Sequence, residues 1–379
     1  MNLRSMALLL VLVLFVPILF WSWGKYRQSR ERMALETRAG ELADQALELA
    51  QKGDYDNSIA RLRQALALTP GDTDIVHNLV IAYGNWILLT YQQGNHQKVM
   101  ELGARARRQG IHSPRIFYYN AQSFYRDGQT DSAYFLLRAA HDSLPYDDLV
   151  ASWLSQLESE RALETGFEND RSGYFNVRFE GAENREVSAL VLSMLENIRE
   201  QVGNELGYRM QRNTGVILYS DRQFQDITQL AGWAGAAFDG QIKVPIASYR
   251  NNQDLLKKVL VHEFTHAAIY DMAGGKTPAW LNEGLAMLFE GAEHVPAKYI
   301  PLSRLRKPFT QMNREQVSDA YGASLSAVKY LTGQYDMAFL RMLFANLQKG
   351  KDFEPAFHDA YGQTPAEFDQ RWKENLEAN

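Results

Sequence analysis

The sequence predicts an α+β protein in three parts. These are an N-terminal membrane-spanning helix, an all-α solenoid of helical hairpins, and a C-terminal α+β domain. In that last domain a small mixed sheet precedes a helix carrying His262-Glu263-Phe264-Thr265-His266. Three observations predict this. Met6 to Trp23 contains no charged residue. From Gly40 to Tyr146, small residues and prolines return at helix–turn–helix positions. After Gly173 the apolar pattern alternates as strands do, then returns to a helical period. The expected boundaries are 1–24 for the anchor, 25–37 for a linker, 38–166 for the repeats with a capping helix, and 167–379 for the last domain.

The apolar run comes first. As a helix, Met6–Trp23 nearly crosses a hydrocarbon core of about 30 Å. Arg4 precedes it, Lys25, Arg27, Arg30 and Arg32 follow, and Trp21 and Trp23 suit an interface. Ser22-Trp23-Gly24 is a poor cleavage site, so an uncleaved single-pass anchor through residues 6–23 is expected. The basic residues after the span argue for a cytoplasmic C-terminal side. The short N-terminal tail argues for export, and the expectation is a periplasmic or other extracytoplasmic domain.

The repeats come next. Gly40 to Gly71 reads as one helical hairpin, with Leu42, Ala46, Leu49, Gly53, Tyr55, Leu62, Ala65 and Pro70 at repeat positions. A second copy runs from Pro114 to Tyr146, with Phe117, Ala121, Phe124, Gly128, Ala133, Leu137, Ala140 and Pro145. Both match the tetratricopeptide unit of roughly 34 residues, in which small residues let paired helices approach. Thr73 to Ser113 is a degenerate middle unit marked by Gly94 and Ala106, and Asp147 to Thr165 is a capping helix. His77, His96, His112 and His141 lie here without ligand-like pairing.

Then the pattern changes. Tyr174–Phe179 and Gly215–Tyr219 read as strands, Glu186–Leu206 as a helix, and Asp221 as the cap of another. Ala237–Val244 reads as a hairpin turning at Asp239-Gly240. Asp254–Ala273 is a buried helix with Asp254 as N-cap and Gly274-Gly275 as stop. Thr277-Pro278 looks like a cap followed by proline at the first position of the next helix. Helical sequence from Gln334 through Trp372 closes the domain.

His262 and His266, spaced i, i+4, lie on one helix face about one turn apart and can grip one metal ion. Glu263 lies beside the first of them and can face a water at that metal. Catalytic zinc takes three protein ligands and leaves a fourth position open. Glu283, in Trp280-Leu281-Asn282-Glu283-Gly284-Leu285-Ala286, is the candidate third ligand, carried back by the double-glycine turn. The alternative is a pair of satisfied core histidines. Burying two histidines and two glutamates without a metal would cost on the order of several kcal/mol in unpaired polar groups. The expected cofactor is therefore one Zn2+ per chain.

HExxH followed by a glutamate in a WLNEGLA segment resembles the gluzincin metallopeptidases. WLNEG is similar to the zinc-glutamate segment of aminopeptidase-N-like enzymes. In those enzymes, however, the glutamate lies a little further on, and their glycine-x-methionine-glutamate-asparagine clamp has no counterpart here. The spacing is more similar to the peptidase-MA-like domains attached to tetratricopeptide repeats, over roughly Tyr174 to the C-terminus. The resemblance implies a zinc metallopeptidase acting on a peptide or protein substrate, with Glu263 as general base. It also implies an oxyanion donor, for which Tyr321 is the first choice and Tyr330 and Tyr299 are rivals. It further implies an edge strand that holds extended substrate, for which Ile242–Pro245 is the choice. His294 and His358 read as exposed.

Composition bounds the remainder. The 379-residue chain has net charge −5 and no dominant basic run, so nucleic-acid binding has no electrostatic support. It has no cysteine, which excludes disulfides and thiolate metal sites. Two functions follow as expectations. One is a membrane-anchored zinc peptidase, an endopeptidase by the missing clamp, whose repeats recruit substrate or a protein partner. The other is a repeat-based interaction protein with a structural or inactive zinc site.

Overall fold

The computed structural model describes residues 3–143, 145–210, 213–228, 237–293, 298–309 and 312–378, with side chains from residue 23 onward. The chain opens with α1 (Leu3–Gln51), α2 (Tyr55–Leu68), α3 (Thr73–Gln92), α4 (His96–Arg108), α5 (Pro114–Arg126), α6 (Thr130–Ser143) and α7 (Asp148–Leu163). A sheet-bearing stretch follows: β1 (Glu168–Arg171), β2 (Phe175–Phe179), α8 (Arg185–Leu206), β3 (Thr214–Tyr219), α9 (Asp221–Thr228), β4 (Ala237–Phe238) and β5 (Ile242–Pro245). Six helices close it: α10 (Gln253–Ala273), α11 (Ala279–Phe289), α12 (Arg314–Gln334), α13 (Met337–Gln348), α14 (Phe353–Tyr361) and α15 (Pro365–Ala378).

Two expectations are corrected. The described chain is mostly helical with one small mixed sheet, so the α+β balance shifts toward helix. Among the described residues no helix is long and apolar enough to cross a membrane. That overturns the membrane-spanning helix and the single-pass location drawn from it. Met6–Trp23 is no separate element, because α1 continues unbroken for 49 residues through charged sequence to Gln51. The side chains of most of that run lie outside those described.

The chain forms two compact units, Met1–Trp86 with Ala106–His112, and Ile87–Arg105 with Ser113–Asn379. In the first, α1 packs on α2. Of the residues at its repeat positions Leu42, Ala46, Leu62 and Ala65 are buried and Leu49 is half-buried, and Ala39 and Ile59 are buried as well. Asp54 caps α2 by accepting from the Asn57 amide at 3.4 Å.

In the second unit α5, α6 and α7 pack around Phe117, Ala121, Leu137, Ala140, Leu154 and Leu157. A methyl group at Gly103 on α4 would lie 1.9 Å from Asn120 Oδ1 on α5, so this approach requires glycine. The sheet order is β1-β2-β3-β5-β4. Its three central strands are parallel, and β1 and β4 join antiparallel at the edges. All six residues of β3 are buried, as expected for a strand covered on both faces. Val216 and Leu218 enter the main core with α8 and α10. Ile217 and Tyr219 face the other way, toward Phe224 and Ile227 of α9. The hairpin at Asp239-Gly240 forms as the sequence predicts, with Phe238 opposite Ile242 and Gly240 at φ 121°. The expected edge strand Ile242–Pro245 is instead interior, flanked by β3 and β4. The edge is β4. Strand β1 gave no alternation to read, because its sequence is Glu-Asn-Asp-Arg.

On the second sheet face lies a layer of buried charge. Lys243 Nζ on β5 contacts Glu160 of α7 and Asp239, each at 2.7 Å. Arg178 on β2 pairs with Glu164 at 2.6 Å. Burial works against the Lys243 ammonium, but Asp239 and Glu160 outweigh it and hold its proton more tightly than usual. A second link reaches α10. Arg126 of α5 lies 3.1 Å from His96 Nε2, 3.7 Å from Asp271 of α10, and 3.5 Å above the Tyr270 ring. His96, expected to be an ordinary helix residue, is buried and holds Ser123 Oγ at 2.9 Å.

Candidate metal centre

Helix α10 starts at Asn252, whose side chain accepts from the Leu255 amide at 3.0 Å. Asn252 thus caps the helix where the sequence suggested Asp254. The helix ends at Gly274 in the left-handed region, φ 63°. Apolar residues Leu260, Phe264, Ala268 and Ile269 bury its core face. One turn apart on its other side, the His262 and His266 rings meet edge to face with centroids 4.7 Å apart. After the glycine turn, Pro278 rather than Thr277 is the N-cap of α11. A methyl group at Gly284 would lie 2.4 Å from the Ser324 carbonyl and 2.5 Å from Val328 on α12. That close approach seats the neighbouring Glu283.

Glu283 Oε2 lies 3.4 Å from His262 Nε2 and 3.4 Å from His266 Nε2. One ligand atom from each of the three residues falls within 4.8 Å of the others. Among the described residues Glu283 Oε2 is buried without a hydrogen-bond partner, as is His266 Nδ1. An orphaned carboxylate oxygen facing two imidazole nitrogens is costly unless a cation sits among them. A tetrahedral centre with bonds of about 2.0–2.1 Å spaces its ligand atoms by about 3.3–3.4 Å. The donor set and the observed separations therefore fit zinc.

The sequence reading missed Glu290. Its Oε2 accepts from His262 Nδ1 at 2.8 Å, which leaves the Nε2 lone pair directed toward Glu283. Glu290 follows Glu283 by two helical turns on the same face of α11, a spacing the sequence displays. Replacing Glu290 with Gln should weaken zinc affinity by about 10–100-fold. Competition with a chromogenic chelator would read this, and an unchanged affinity would remove Glu290 from the site.

Charge is balanced within the cluster. Burial alone would lower the His262 pKa, but Glu283 and Glu290 outweigh it and push it up to about 10. Burial would raise Glu283, but the two imidazoles hold it well below the usual carboxylate range. Burial raises Glu263 above that range against the pull of His262 and His266, with Glu283 and Glu290 adding to the rise. The Tyr321 phenol is raised by burial and then by Glu283, Glu263 and Glu290.

His262, Glu263, His266, Glu283, Glu290 and Tyr321 line one cavity of about 1940 Å³, and β4 borders it. Tyr321 sits in the second turn of α12, with its ring edge-on to Phe309 at 5.6 Å. The rival tyrosines lie elsewhere. Tyr299 donates to Asp369 at 3.2 Å, and Tyr330 packs on Phe368 at 5.8 Å. His358 is exposed on α14, and His294 falls outside the described residues.

With this geometry in view, the comparisons with known proteins are consistent with it. Residues 199–378 match the sequence profile of the Peptidase MA superfamily. That span contains α9 through α15 and every residue of the cluster. The chain is also similar to Uncharacterized protein YhcO of Bacillus subtilis (strain 168), with 23% identity over 137 residues. The match covers 33% of this chain, which spans 42% of that protein's length.

Proposed function

We propose that residues 167–379 form a zinc-dependent endopeptidase of the gluzincin type, HExxH followed by glutamate, and that the helical hairpins of residues 38–166 are tetratricopeptide-like. The carrying observation is the meeting of His262, His266 and Glu283 beside Glu263 in one cavity wide enough for a polypeptide. Peptide and protein substrates follow from the peptidase superfamily match.

His262, His266 and Glu283 would hold the ion. When bound, zinc supplies a Lewis acid for the scissile carbonyl and makes water acidic enough to ionise near neutral pH. Glu263 then takes a proton from the attacking water on its carboxylate and delivers it to the leaving amine. Its raised pKa suits both halves of that transfer. Tyr321 would donate a hydrogen bond from its hydroxyl to the developing oxyanion; its place in the same cavity lining supports this role, and its raised pKa keeps that proton in place. The β4 strand, Ala237–Phe238, is an edge of the sheet among the described residues and would be the strand beside which an extended substrate lies.

The test is zinc content and casein hydrolysis of the purified chain, beside Glu283→Ala. The wild type should carry one equivalent of zinc and cleave casein. Glu283→Ala should lose zinc under mild chelation and lose cleavage with it. Unchanged zinc affinity in Glu283→Ala would show that the third ligand is misassigned. Stoichiometric zinc with no cleavage of any peptide would favour a structural metal in an interaction protein.

A further inference from the structure

The cavity does not end at the metal cluster. It continues without a break along α5 and α7, bounded by Tyr118, Gln122 and Tyr125 on one helix and Ser152, Trp153, Ser155, Gln156 and Ser159 on the other. All of these residues belong to the same compact unit as the cluster. We propose that this α5–α7 wall is a substrate subsite, which binds an unfolded polypeptide on one side of the scissile bond and favours an aromatic or aliphatic side chain there. The inference rests on the peptidase reading and names the substrate class: extended, unstructured protein segments.

Size argues first. A pocket for one small ligand holds roughly 300–1000 Å³, and this cavity holds about 1940 Å³. Its lining takes in residues of α5 and α7 as well as the metal cluster.

The wall's chemistry argues second and independently. Where α7 lines the cavity it carries no charge: Ser152, Ser155 and Ser159 are exposed and Gln156 half-buried. A helix face turned to solvent carries charged or polar residues, and here only polar ones meet the cavity. Asp148, one turn before Ser152, is exposed outside the lining. Arg161 pairs with Asp131 at 2.6 Å, Glu158 meets Tyr134 at 3.4 Å, and Glu160 is buried against Lys243. On α5 the one cation at the wall, Arg126, is buried between His96 and Asp271.

What remains is aromatic and small polar. The half-buried rings of Tyr118 and Trp153 meet edge-on at 5.6 Å, and Tyr125 braces Trp153 at 6.0 Å. Rigid aromatic rings give a large contact at low entropic cost, while serine and glutamine adapt their hydrogen bonds to any main chain. That combination suits polypeptide of varied sequence. It does not suit a nucleic acid, which would require free cations.

The experiment uses the zinc-loaded full chain, β-casein as an unfolded substrate and a blocked tetrapeptide that spans only the scissile bond. For Trp153→Ala and Tyr118→Ala, the ratio of kcat/KM on β-casein to kcat/KM on the tetrapeptide should fall about tenfold, through KM. Glu158→Ala, outside the cavity lining, should leave the ratio unchanged. An unchanged ratio in Trp153→Ala, or equal losses on both substrates, would overturn the subsite while leaving the peptidase reading intact. A second arm does not need catalysis. With p-benzoylphenylalanine in place of Ser155 in the Glu263→Gln protein, light should cross-link fluorescein-labelled β-casein, and the same probe in place of Phe135, exposed on α6 outside the cavity lining, should not. Cross-linking by position 155 together with no cleavage by the zinc-loaded wild type would sustain the wall as a polypeptide site and defeat the enzyme. No preference between the two positions would defeat the wall.

Discussion

Glu263→Gln should leave zinc bound at one equivalent and reduce kcat for casein or any cleaved peptide by about 10²–10⁴-fold, the range spanned by positioned general acid–base groups. The amide keeps the volume and some of the hydrogen bonding of the carboxylate but cannot take a proton from water. Glu263 is 6% exposed and forms part of α10's buried interior edge, so an isosteric change is the one that separates chemistry from packing. Metal analysis, the melting transition and steady-state kinetics on one preparation would decide it. Activity within a few-fold of wild type would reject Glu263 as the base. Loss of zinc together with activity would mean that the carboxylate holds the site rather than moves protons.

Arg126→Met should destabilise the folded chain by about 3–5 kcal/mol, as removal of one partner from a buried ion pair does. The guanidinium is the shared partner of His96 and Asp271 and lies flat on the Tyr270 ring. Methionine keeps the length of the side chain and restores none of those contacts. Taking roughly 2–4 °C per kcal/mol, a melting point lower by about 6–20 °C is expected. Asp271 stands just beyond His266 on α10, so zinc retention should also weaken. Thermal unfolding followed by circular dichroism, with and without added zinc, reads both effects. A shift under two degrees would show that α5 and α10 are held by other contacts.

How much of this was legible in the sequence depends on distance along the chain. The meeting of His262, His266 and Glu283 follows from local geometry: four residues within a helix, then a glycine turn and one helical step. Glu290 obeys the same local rule, two turns beyond Glu283, but nothing local in the sequence ties it to a histidine nitrogen. Gly284 reads in sequence only as part of a motif, though its contact with Ser324 is what seats the helix. The strands were legible where apolar residues alternate, and β1 was not, because four polar residues carry no period. Strand order was out of reach. Ile242–Pro245 reads as an edge from sequence, yet all four residues are buried between β3 and β4. The apolar N-terminal run illustrates the opposite failure. Hydropathy alone suggested a membrane span, and the continuous helix through Gln51 overrode that division. Arg126, Lys243 and Glu160 look like surface residues in sequence, since nothing local states that they face one another.

The layer of buried charge under the sheet bears on where this fold can be cut. The stretch matching the peptidase superfamily begins at residue 199, inside α8, and omits β2, Arg178, Glu160 and Glu164. A fragment excised there would strand the Lys243 ammonium, which is 1% exposed, without its α7 counterion. It would also leave β3 without its parallel neighbour β2. The segment that matches the superfamily is therefore shorter than the unit that pairs its buried charges. In this chain the helices ahead of that segment are part of its foundation rather than an attachment to it.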